Sequence, residues 1–227
     1  MQTSIYHLEE KAKKLLQLSG LGESVIALLP ETVTKSGAKY NRVVISFKGD
    51  RLTAETTAKE LLWWWWVCND NRIGEEFDIY ALEFDNQPED SPVVYFFKDE
   101  QIFIEIEDGN EPASILGAGE EETIPTARLS LEEAVNKIIE EAGLSKQIEI
   151  TLTNGKKAAE IMEVDFTDIS ELAILSFKDE DRKQAETAAK NLLWQKYTND
   201  KEFQGYILLV ENERFDMPII YFYREPA

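Results

Sequence analysis

The chain is poor in the residues that most often carry out chemistry: its 227 residues include one cysteine and one histidine. A single thiol excludes an internal disulfide and a multi-cysteine zinc site, and a single imidazole leaves few histidine-based schemes open. Seven prolines and 11 glycines are too few for a fibrous or disordered protein. No apolar run reaches the roughly 18–20 residues of a membrane helix, and the start, MQTSIYHLEEKAKK, lacks the charged-then-apolar order of a signal peptide. The sequence is therefore read as cytosolic and without membrane contact. Basic residues are also scarce, 24 against 44 acidic ones, for a net charge of −20. Such a chain repels a phosphate backbone, and its longest basic runs are Lys13-Lys14 and Lys156-Lys157, so direct nucleic-acid binding is not expected.

What the chain does contain is an internal repeat. The stretch Ser46-Phe47-Lys48 followed by Asp50-Arg51 and the helix-forming run to Trp63 returns as Ser176-Phe177-Lys178, Asp181-Arg182 and the run to Trp194, with one residue inserted before Asp181. Downstream, Phe77, Tyr80, Leu82, Asn86, Pro92, Tyr95 and Phe96 fall on Phe203, Tyr206, Leu208, Asn212, Pro218, Tyr221 and Phe222 without a gap. Upstream, Leu8-Glu9-Glu10 and Gly20-Leu21 fall on Leu131-Glu132-Glu133 and Gly143-Leu144. The expected organisation is a first repeat at 1–107, an acidic linker containing Gly and Pro at 108–126, and a second repeat at 127–227. Through Asn110 there are 11 basic and 20 acidic residues, and beyond it 13 and 24, so the acidity belongs to both halves.

Within each repeat the patterning predicts a helix, two or three strands, a second helix and a two-strand hairpin. This is an α+β unit of about 100 residues with a mainly antiparallel sheet and its helices packed on one face. Ser130-x-x-Glu133 reads as a capping box, Gly20 and Gly143 as helix stops, and Asp50 and Asp181 as caps of second helices that begin at the shared Arg51 and Arg182. His7 aligns with Ser130 and reads as a helix-start residue. In the second repeat Ile148, Ile150 and Leu152 alternate with polar residues, and Asn154-Gly155 reads as a hairpin turn before a strand at 161–166. The matching region of the first repeat is shorter and less legible, and 101–107 suggests one extra strand there.

The helix–strands–helix order is superficially similar to that of double-stranded RNA-binding domains. Those domains grip phosphate with lysines at the start of the second helix, where this chain has Lys48-Gly49-Asp50-Arg51 and Lys178-Asp179-Glu180-Asp181-Arg182, and the chemistry argues against membership.

The feature that folding alone explains least is Trp63-Trp64-Trp65-Trp66. Four consecutive helical residues point about 100° apart, so one core cannot take all four. If Ala54, Ala58 and Leu61 form the buried stripe, Trp65 extends it, Trp64 and Trp66 flank it, and Trp63 points nearly opposite. The second repeat has Trp194-Gln195-Lys196-Tyr197 at these positions. The shared Trp63 and Trp194 therefore read as common architecture, and the remaining tryptophans read either as internal packing or as a contact surface.

Little else suggests chemistry. Asp179-Glu180-Asp181 and Glu120-Glu121-Glu122 lack the alternating acids and central glycine of a calcium loop. Cys68 reads as a small buried or half-buried thiol rather than a nucleophile, and Asn154-Gly155-Lys156 has no phosphate-loop spacing. No cofactor or metal is expected. The reading that follows is a non-enzymatic, acidic module for protein–protein contact or self-association, with Trp63, Trp64, Trp65, Trp66, Trp194 and Tyr197 as candidate interface residues. Two alternatives stand beside it: an acidic decoy that imitates nucleic acid toward a basic partner, and a hydrolase using only Asp and Glu.

Overall fold

A computed structural model describes residues 5–35, 38–67, 77–86, 90–98, 129–162, 166, 168–178, 181–199, 202–203, 205–212 and 216–224. The expected linker at 108–126, the extra strand at 101–107, Cys68, and the acidic residues at 120–122 and 179–180 lie outside the described residues. The chain divides into two units, Met1–Pro125 and Thr126–Ala227.

Unit 1 runs α1 (Ile5–Leu18), a short 3-10 turn (Gly22–Ser24), β1 (Val25–Lys35), β2 (Ala38–Phe47), α2 (Arg51–Val67), β3 (Tyr80–Asp85) and β4 (Val93–Lys98). Unit 2 runs α3 (Leu131–Glu141), β5 (Ile148–Thr153), α4 (Gly155–Met162), β6 (Leu172–Phe177), α5 (Arg182–Thr198), β7 (Tyr206–Glu211) and β8 (Ile219–Arg224). The described residues thus form an α+β protein with five α-helices and two four-stranded sheets, ordered β1-β2-β4-β3 and β5-β6-β8-β7, with every pairing antiparallel.

The helices begin and end where local chemistry dictates. Asp50 Oδ1 accepts from the Thr53 N–H at 2.9 Å, and Asp181 Oδ1 accepts from the Gln184 N–H at 2.9 Å, so both second helices carry an aspartate cap. Ser130 and Glu133 close a reciprocal capping box on α3. Helices α1 and α3 end at Gly20 (φ 75°) and Gly143 (φ 71°), where a side chain would be strained. There Leu21 and Leu144 donate back to the carbonyls of Leu16 and Ile139, each at 2.9 Å. His7 is exposed in the first turn of α1.

Alternation along the strands sends one set of side chains toward the helices. In unit 1 the buried set is Val43, Ile45, Val94, Phe96, Tyr80 and Phe84, meeting Leu8, Leu15 and Leu16 of α1 and Ala54, Ala58 and Leu61 of α2. In unit 2 Ala173, Leu175, Ile220, Phe222 and Tyr206 take the same register positions opposite α3 and α5, and Leu208, at the position of Leu82, is buried with them. The Tyr80 and Phe96 rings stack at 5.0 Å, and Tyr206 and Phe222 stack at 5.1 Å.

Two expectations are corrected in unit 2. Asn154-Gly155 is not a hairpin turn, and Ile161 and Met162 belong to a helix rather than a strand. Asn154 Oδ1 accepts the Lys157 N–H at 3.0 Å and so caps α4. The favoured two-residue turn needs positive φ at both central residues, and Gly155 is not among the positive-φ glycines. Its lack of a side chain serves close approach instead: a Cβ there would lie 1.6 Å from the Phe166 carbonyl oxygen. The helices also do not all pack on one face. Ala158 of α4 joins Phe166, Leu172 and Tyr221 in a small second core on the far side of the sheet, because Leu172 and Tyr221 alternate with the residues that face α3 and α5. In unit 1, by contrast, the less legible region is a direct hairpin of β1 and β2, paired from Val25↔Phe47 to Lys35↔Ala38.

Candidate functional site

Helix α2 is buried on one stripe for its first three turns and on several sides at its end, where Leu61, Leu62, Trp63 and Trp65 are all enclosed. Trp65, 8% exposed, meets the Phe77 ring edge-on at 6.5 Å, and Phe77 in turn contacts Phe96 at 6.4 Å. Trp63 is 6% exposed, so it does not point away from the packed interior as the simple helical stripe implied. A single stripe drawn through Ala54, Ala58 and Leu61 does not describe the helix end, where residues on several sides are buried. Trp64 is half-buried, and Trp66 is 50% exposed.

The end of α5 follows the same plan with different residues. Trp194 is buried, Gln195 and Tyr197 are half-buried, and Lys196, at the position of Trp65, is only 7% exposed with Nζ 5.9 Å from the Tyr197 ring. Of the six candidates, the structure therefore places Trp63, Trp65 and Trp194 inside their units, Trp64 and Tyr197 at the boundary, and Trp66 at the surface.

A second shared element went unnoticed in the sequence beyond the repetition of the arginine itself. Arg182 donates to the Asp216 carbonyl at 3.1 Å and to the Asn212 carbonyl and side-chain oxygen at 2.9 and 3.2 Å. Arg51 reaches Asn86 Oδ1 at 2.8 Å and also the Asp90 carbonyl. Each guanidinium thus ties the first residue of a helix to the loop of the following hairpin, a use suited to its fork of donors. The aligned Asn86 and Asn212 were the available signal.

Carboxylates gather without forming an enclosed site. Glu141 is held above its ordinary range, first by partial burial and then by the Glu202 carboxylate. Glu202 is ion-paired with Lys137, and the Asn199 amide lies 3.5 Å from Glu141. This cluster braces the end of α3 at the surface, with Lys137 and Glu202 side chains 39% and 38% exposed. Glu133 is held low by the Ser130 N–H in its capping box. Among the described residues, no group of three His, Cys, Asp or Glu side chains could hold a metal ion, and no helix is long and apolar enough to cross a membrane. No known protein family, curated protein or solved structure matches the chain.

Proposed function

We propose that the chain is a tandem duplication of one α+β unit and that it works as a non-enzymatic, cytoplasmic protein-binding module whose contact is centred on Trp66, with Trp64 at its flank. Duplication is supported by the common sheet order, the two arginine ties and the matching Tyr–Phe stacks at equal register. The binding reading rests on one observation: a tryptophan exposed over half its surface stands at the end of a helix whose neighbouring rings, Trp63 and Trp65, are already enclosed. An exposed tryptophan offers large, rigid contact area and is among the residues most enriched in binding hot spots. Trp63, Trp65, Trp194 and Tyr197 then serve to hold the two helix ends in place, and the net charge of −20 selects against acidic partners, nucleic acid included.

The test compares the parent with Trp66→Gln in partner capture and in sedimentation, at low and high salt. The expected result is an unchanged fold and a loss of partner capture or self-association that persists at high salt, because an aromatic contact is not screened. Equal capture and equal association by both proteins would overturn the reading. Association that vanishes with salt in both would instead favour a charge-driven decoy.

A further inference from the structure

The outer faces of the two sheets, turned away from α1 and α2 in unit 1 and from α3 and α5 in unit 2, share a grid but not a covering. Cross-strand register in unit 2 lines up Thr153–Leu172–Tyr223–Ile207 and, next to it, Thr151–Ile174–Tyr221–Leu209. Over this grid stands Phe166, its ring 4.9 Å from Tyr221 and 5.7 Å from Tyr223, with Ala158 of α4 beside it. Unit 1 lines up Glu31–Arg42–Phe97–Ala81 and Leu29–Val44–Tyr95–Glu83 at the corresponding places. Its β1 and β2 are joined across two residues, 36–37, so no counterpart of α4 and Phe166 can lie between them. Val44, Tyr95 and Phe97 stay half-buried, and Leu29 is 58% exposed.

The chemistry of the unit 1 face, which no described helix overlies, is specific. Arg42 lies over the Tyr95 ring, its Cζ 3.7 Å from the centroid, and is fixed by Glu31 at 2.5 Å, with 20% of its side chain exposed. The Tyr95 hydroxyl donates to Asp85 at 3.2 Å, and Glu83 sits directly across from Tyr95. Carboxylates on this face, Glu31, Glu83 and Asp85, outnumber Arg42 and Lys35, and Glu83 and Asp85 lie on β3, at the far edge of the sheet from Lys35.

We propose that the outer face of the unit 1 sheet docks a short helical segment of another protein, one that sets an aromatic anchor over Val44 and Arg42 and places lysine or arginine beside Glu83 and Asp85. The anchor is argued from unit 2, where a phenyl ring carried next to one short helix covers the equivalent grid. It is argued also from Arg42, whose guanidinium already takes one aromatic ring at 3.7 Å and still keeps 20% of its side chain in water. The basic rim follows from the excess of carboxylates. A second copy of the same face would oppose like charges and is the poorer occupant. The surface is independent of the Trp66 contact.

The experiment titrates the full chain into a fluorescein-labelled synthetic helical peptide bearing a lysine rim and one phenylalanine at the centre of its apolar stripe, read by anisotropy. Leu29→Glu and Val44→Glu should weaken binding roughly tenfold or more, although each adds a negative charge that alone would attract the peptide. Leu52→Glu, the same change at a residue of α2 that is 73% exposed, and Trp66→Gln should bind as the parent does. If Val44→Glu fails to fold, Leu29→Glu decides, since that side chain is already largely in water. Equal affinity for Leu29→Glu and Leu52→Glu would reduce the binding to general charge attraction and overturn the proposal. A parent dimer that Leu29→Glu dissociates in sedimentation would also overturn it, by assigning the face to a second copy.

Discussion

At the centre of its outer face unit 1 has Arg42 where unit 2 has Leu172, and the surroundings of the two residues differ accordingly. Leu172 is fully buried beneath Phe166, so its unit has cores on both sides of one sheet. Arg42 covers Tyr95 with its own guanidinium and keeps a charged group on a face that no described element of unit 1 overlies. A sheet face can be made compatible with water by an amphipathic side chain lying along it, or withdrawn from water by extra chain laid over it. The deciding difference is the connection between the first two strands of each sheet: two residues in unit 1, and the stretch from Asn154 to Glu171 in unit 2.

The sharpest way to break this contrast is to remove the covering ring. Phe166→Ala should cost about 3–5 kcal/mol, the usual range for emptying a buried aromatic site, while Arg42→Leu, which copies unit 2 into unit 1, should stay within about 1 kcal/mol of the parent. Urea denaturation of both variants checks the pair, and equal effects would mean that Phe166 is not what closes the unit 2 face. The helix ends allow a second exchange of comparable size. Trp65→Lys copies Lys196 into a position lined by Phe77, and the lost ring together with the buried ammonium should cost about 3–5 kcal/mol. A folded variant with an unchanged midpoint would show that the α2 end does not rely on Trp65 for its packing.

Gly155→Ala comes next. The new methyl would overlap the Phe166 carbonyl, and forcing the two chains apart should cost about 1–3 kcal/mol or somewhat more. Hydrogen exchange should then accelerate in α4 while unit 1 amides keep their protection. Smaller still is the paired test of the arginine ties. Arg51→Ala and Arg182→Ala should each lose about 1–2 kcal/mol by thermal melting, because each removes several partly exposed hydrogen bonds. A loss confined to one of them would weaken the equivalence of the two units.

The smallest expected effect concerns pH. The Asp50 carboxyl is held below its ordinary range, first by the Thr53 N–H and then by the Thr53 hydroxyl. Its cap is therefore at full strength above the ordinary carboxylate pKa of about 4 and is lost as pH falls through the depressed native value. Asp50→Asn, whose cap does not titrate, should accordingly show a smaller drop in Tm between pH 7 and pH 3 than the parent. The subtraction removes the titration of the other acidic residues, which both proteins share. An equal drop in the two would remove Asp50 from the acid sensitivity.

Much of this molecule is legible in its chain because it depends on neighbours a few residues apart. The capping box at Ser130 and Glu133, the aspartate caps, the glycine stops at Gly20 and Gly143, and the helix starts at Arg51 and Arg182 all follow from local hydrogen bonding and allowed φ. The final hairpins follow from alternation. Three features do not. Asn154-Gly155 has the composition of a turn, yet it starts a helix because a carbonyl 11 residues later needs the space beside Gly155. Trp63 belongs to the exposed side of a stripe drawn from Ala54, Ala58 and Leu61, yet it is buried because the end of α2 is enclosed on several sides. Leu172 and Arg42 occupy the same register on their sheets, and no pattern within either strand indicates that, among the described residues, only Leu172 lies beneath another element. The sequence by itself determined where each element begins, its hydrophobic face and the excess of acid, since these depend on backbone hydrogen bonds, side-chain period and charge count. Only the tertiary structure decided which tryptophan reaches solvent and which sheet face is covered by a described helix, because burial depends on what residues distant in sequence lay over a surface.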